Sequence, residues 1–200
     1  MYIIAQAPAA AVLAIPSGAA YTPFVVAAGE PGAGTQCNLN LPGSKRLNGQ
    51  AYTVRASGYM TCPAGTYTSS ATPIGFGLFA ANTASFAAAS GNLVFTTVAQ
   101  AVFTVSSATA VQTPWEVEVE CVGYGTSNTV IGAAQGQHGT SPNLTTSIVD
   151  ARVAATNIPG TVNFATEPPL QFCAGIQTAA TNLLAVATCT AVLTQLVLEA

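Results

Sequence analysis

Along residues 115–122 apolar and charged side chains alternate without a break: Trp115, Glu116, Val117, Glu118, Val119, Glu120, Cys121, Val122. A β-strand sends successive side chains to opposite faces. Trp115, Val117, Val119 and Cys121 therefore share one face of a core strand, and the three glutamates share the other. A helix would scatter those glutamates over much of its surface. One dry face and one wet face mark an antiparallel sheet in a sandwich or barrel, because parallel sheets are covered on both sides. The same period of two recurs over 51–60, where Tyr52, Val54 and Ala56 alternate with Thr53, Arg55 and Ser57.

Further strands are predicted at 73–79, where glycines point to bending or close backbone approach, and within 94–105, with a break near 99–100. Others follow at 129–138, which returns from a Gly123–Asn128 hairpin connection, within 144–153, at 170–176, and as a long final strand over 184–198. Capped helical periodicity is absent, as is any repeat of solenoid or propeller period. About eight core strands at this spacing predict an all-β, antiparallel β-sandwich, with the body over 41–200. Residues 1–40 are rich in Ala, Pro and Gly, and Pro8, Pro16, Pro23 and Pro31 hold them extended. Two readings stand for this segment. It forms irregular edge strands, or it is an extended arm docking on a neighbouring subunit through Tyr2, Ile3, Ile4, Val12, Leu13, Ile15, Tyr21 and Phe24.

Composition changes the picture in one respect. Charged residues make up 6% of the 200, against about 25% in typical soluble domains. So few charges protect a lone monomer poorly from association, and the chain reads as a subunit of something larger. Four basic residues neutralise few phosphates, so nucleic acid is not an expected partner. No apolar run reaches the roughly 20 residues of a spanning helix, so a membrane is not expected either. Residues 1–20 lack a basic start, and Pro8 and Pro16 cut their apolar stretch, which favours synthesis without export.

Candidate chemistry is sparse. The five cysteines, Cys37, Cys62, Cys121, Cys173 and Cys189, form no C-x-x-C pair and match no zinc motif. They read as buried thiols, with a Cys173–Cys189 bridge as the alternative. The row Glu116, Glu118, Glu120 suits a hard cation chemically, but carboxylates along one straight strand diverge. A solvated face, or one paired across strands to Arg55 or Arg152, is the expectation. His138 is the only histidine, no G-x-S-x-G elbow accompanies it, and no phosphate-binding glycine loop opens a helix. No enzyme activity, catalytic residue, metal or cofactor is expected.

The stretches 114–121 (Pro-Trp-Glu-Val-Glu-Val-Glu-Cys), 129–136 and 170–200 together resemble small virion proteins of tailed bacteriophages. Those proteins show a Pro-Trp-x-Leu/Val-x-Leu/Val-x-Cys strand, a Gly/Thr/Ser hairpin with a return strand ending in Gly-x-Gly, and a closing apolar strand pair ending in Leu-Glu. Residues 1–40 have no counterpart in the pattern. The resemblance implies a jelly-roll-like sandwich on the phage particle. It also implies a capsid decoration (cement) protein, commonly trimeric, that bridges neighbouring major capsid proteins on the virion surface after assembly in the host cytoplasm. The alternative it leaves is a tail or fibre module that binds host-surface glycans through loops such as 82–92 or 136–143. An exported adhesin-like subunit is a third reading, which would need paired cysteines.

Overall fold

The computed structural model describes residues 3–15, 22–41, 51–68, 75–81, 93–96, 104–107, 109–124, 129–138, 151–153, 170–177 and 188–199. Among them there is no helix. There are fourteen strands: β1 (Ile3–Gln6), β2 (Leu13–Ala14), β3 (Thr22–Pro23), β4 (Asn38–Leu41), β5 (Ala51–Cys62), β6 (Gly65–Thr68), β7 (Gly75–Ala81), β8 (Leu93–Thr96), β9 (Thr104–Ser107), β10 (Val111–Tyr124), β11 (Thr129–His138), β12 (Ala151–Val153), β13 (Leu170–Gln177) and β14 (Thr190–Glu199). Every pairing is antiparallel.

Two sheets form the sandwich. One runs β1-β14-β5-β10-β11-β12, with β2 also on β14; the other runs β3-β13-β7-β8, with β4 also on β13. The chain alternates between them: β1 and β2, then β3 and β4 across, β5 back, β7 and β8 across, β10 to β12 back, β13 across and β14 back. This is a jelly-roll alternation. Its eight places are filled by β1/β2, β3/β4, β5, β7, β8, β10, β13 and β14, while β11 and β12 extend one edge.

The sheets are connected by one folded ribbon. β6 and β9 pair only with each other, and their ladder continues that of β5 and β10. The last β5–β10 pair is Cys62–Val111 and the first β6–β9 pair is Gly65–Ser107, so the register slips by a single residue across the gap. The β7–β8 ladder resumes at Gly77–Thr96 after Thr68–Thr104, again with a one-residue slip. Strands β5, β6 and β7 on one side and β8, β9 and β10 on the other thus follow one long hairpin ladder that turns from the first sheet to the second.

The alternation read from the sequence is realised on both central strands. Tyr52, Val54 and Ala56 of β5 and Trp115 and Val117 of β10 are buried, while Thr53, Arg55, Ser57, Glu116 and Glu118 are partly exposed. Val119 and Cys121 continue the β10 register opposite Val54 and Tyr52. Phe24, Leu39, Phe172 and Ile176 supply the second sheet's share of the core. Across the gap Phe24 stacks on Trp115, with ring centroids 5.7 Å apart and planes 12° apart.

Residues 3–41 do not stand off the body. β1 and β2 pair with β14, and β3 and β4 pair with β13, so this segment supplies the first strands of both sheets. Bridges from Ala10 to Val26 and from Val25 to Gln36 tie it across one edge of the sandwich. The reversal over 27–35 is fully exposed beyond Ala27, and Gly29, Gly32 and Gly34 take the positive φ that its turns require.

Of the predicted final strand, residues 184–187 fall outside the described residues. Thr188 adopts a left-handed conformation (φ 57°) in a turn, and the strand begins at Thr190. A register shift between Leu193 and Gln195 then makes a bulge, whose Thr194 hydroxyl donates to the Ser57 carbonyl at 3.0 Å. Gly58 lies opposite this bulge. A Cβ there would run into the Val192 carbonyl oxygen and stand 2.9 Å from Trp115 Cζ2, so the bulge and the tryptophan can close on the strand only where a side chain is missing.

Candidate functional site

The residues expected to dock on a partner are divided by the fold. Ile15 (4% exposed) and Phe24 (0%) lie in the chain's own core. They are therefore not on a surface offered to a neighbour, which corrects their place among the docking residues. The reason is that β2 pairs with β14 and β3 with β13, which closes both residues between the sheets. Leu13 is half-buried on β2, and Ile4 lies within β1. Tyr2 and Tyr21 fall outside the described residues.

Ile3 (56%) and Val12 (64%) are the exposed large hydrophobics among the described residues, and both lie along the same sheet border. β1 is the terminal strand of the larger sheet, and no charged residue occurs from Ile3 to Ile15. Natural edge strands are commonly guarded by charge, proline or shortness. The opposite border, β12, carries Arg152, and β3 is two residues long and ends in Pro23. The β1 border carries no charge; it has a bulge between Ile3 and Ala5, Pro8 between its two strands, and a β2 of two residues.

The wet face of the larger sheet carries Arg55, Glu116 and Glu118. Arg55 lies opposite Glu118 in register, and its Nε and Nη2 donate to Glu118 Oε2 at 3.0 and 2.6 Å. Nε is also 3.1 Å from Glu116 Oε1. The hydrogen bond to Glu118 raises the pKa of Arg55, burial opposes it, and the charges of Glu118, Glu199 and Glu116 add to the rise. Glu120 sits opposite Thr53 and Arg152 opposite Gln135, within the same group of strands. The glutamate row is thus paired across strands at Arg55. With the guanidinium and both carboxylates partly in water, such pairs contribute about 0–1 kcal/mol each.

Cys37, Cys62, Cys173 and Cys189 are buried thiols without a disulfide, so the alternative Cys173–Cys189 bridge is not formed. Cys173 pairs in register with Asn38 on β4, whereas Cys189 immediately precedes β14 of the other sheet. Cys37 Sγ donates to the Pro8 carbonyl at 3.1 Å, and burial pushes its pKa up to about 11. Burial also raises Cys173, with the nearby Cys37 adding to the rise.

His138 closes β11 opposite Trp115. Among the described residues no group of three or more His, Cys, Asp or Glu is placed to hold a metal, and no helix is long and apolar enough to cross a membrane. The loops 82–92 and 139–143 fall outside the described residues. Comparison with protein-family models, with curated proteins and with solved structures finds no match for this chain.

Proposed function

We propose that this chain is a structural protein of a tailed-phage virion, a capsid decoration protein that bridges neighbouring major capsid proteins. The observation that carries the reading is the β1 border: uncharged from Ile3 to Ile15, exposing Ile3 and Val12, on a chain with 6% charged residues. An edge strand presents unpaired backbone groups to an incoming strand, and apolar neighbours add burial to that ladder. Many copies on one particle make a modest affinity effective through avidity. In this reading the protein is a homotrimer on the outer capsid surface, assembled in the host cytoplasm, with no enzymatic activity. The sandwich is the body, and the contact is made through the β1 border.

The test is the copy number of this chain on purified particles, followed by decoration with Ile3→Lys and Val12→Lys. A count near that of the major capsid protein, or a simple fraction of it, is expected. Both variants are expected to fold as the parent does and to lose occupancy at least tenfold. A dozen copies or fewer would transfer the assignment to the tail or fibre, where a glycan screen becomes the next measurement. Absence from particles overturns the proposal, and so does full occupancy by both variants.

A further inference from the structure

We infer that Cys62 and Cys189 form a built-in thiol pair that closes to a disulfide when the protein meets an oxidant. The ladder of β5 and β14 ends at Thr61 and Thr190; one further step along the same antiparallel register sets Cys62 opposite Cys189. Both side chains face the core (each 1% exposed), next to the paired Met60 and Ala191, which are buried on the same face.

The kind of pair follows from the backbone. The Cys189 carbonyl accepts from the Ile15 amide at 2.9 Å, on the β2 side of β14 and away from β5. A residue in an antiparallel strand turns its N–H and C=O to the same side, so toward β5 this is a non-hydrogen-bonded pair. Such pairs bring Cα atoms to about 4.5 Å, inside the roughly 4.4–6.8 Å span of natural disulfides. No other described cysteine lies directly opposite a second one: Cys37 is near Cys173 but one residue off its register partner, Asn38. Cys173 faces Asn38 in register, and Cys121 faces Tyr52 and Gly132.

The pair sits at the end of the sheet, between exposed Ala64 and exposed Thr188, where fraying admits a small reagent. With oxidised glutathione, one cysteine thiolate attacks a glutathione sulfur and expels one glutathione thiolate. The second cysteine thiolate then attacks the mixed disulfide and expels the other. Two protein thiols lose two protons and two electrons, and one glutathione disulfide becomes two glutathiones. In a reducing compartment the pair stays open; in an oxidising one it joins β5 and β14 covalently.

The test treats the full-length reduced protein with oxidised glutathione, then counts thiols after denaturation and maps peptides without reduction. Two of the five thiols are expected to disappear, with a single Cys62–Cys189 cross-linked peptide and an unfolding temperature raised on the order of 10 °C. Cys62→Ser is expected to leave Cys189 titratable after the same treatment; if that variant does not fold, the wild-type map decides alone. Five remaining thiols, a bond joining a different pair, or glutathione retained on a single cysteine would each overturn the inference.

Discussion

Replacing Phe24 by alanine tests whether the N-terminal segment belongs to the folding unit. Phe24 is fully buried, follows a strand only two residues long, and reaches across the sandwich to stack on Trp115. Truncating a buried phenylalanine removes its transfer free energy and leaves a cavity that neighbours fill only partly, a loss of about 3–5 kcal/mol. The stacked geometry places this site toward the upper part of that range. Against a total stability of about 5–15 kcal/mol this is a large fraction, and it lowers the unfolding temperature on the order of 10 °C. The assay is equilibrium urea unfolding followed by tryptophan fluorescence. Trp115 is the only tryptophan and packs on the altered residue, so its emission reports this contact directly. The midpoint should fall with the slope unchanged. A loss below about 1 kcal/mol would refute the reasoning, because it would mean that residues 3–41 dock on the body without sharing its core.

Two further outcomes follow from the packing and the thiols. Gly58→Ala sets a methyl against the Val192 carbonyl and the Trp115 ring, and should destabilise by at least about 2 kcal/mol in thermal unfolding; a neutral result would mean that the β14 bulge does not press on β5. Cys37 holds its proton up to about pH 11 in the fold against an ordinary 9.0, so the folded state binds more protons between those values. Stability from this group is intact below about pH 9 and falls as pH rises toward 11. The slope over that window should flatten in Cys37→Ala, and an unchanged slope would remove Cys37 as its source.

What was legible in the sequence was local. A period of two assigns each side chain of a strand to a face without reference to any partner, so the dry and wet faces of residues 51–57 and 115–118 could be read directly. The end of β11 at His138 and the start of β13 at Leu170 were also marked in the chain itself. The pairing of glutamates with Arg55 was half visible, since both lie on polar faces, but the choice of Arg55 needed the register.

The candidate docking residues show where such reading stops. Ile3, Val12, Ile15 and Phe24 are all apolar residues in one proline-punctuated segment, and nothing local separates the exposed pair from the buried pair. Their fates were decided by which strand each segment found: β14 for the first strands and β13 for the next. The same holds for Cys189, which adjoins the end of the β5–β14 ladder rather than Cys173, and for Gly58, whose missing side chain answers a bulge more than 130 residues away. Strand faces follow from backbone geometry over neighbouring residues. Strand partners follow from long-range burial that only the assembled sandwich provides.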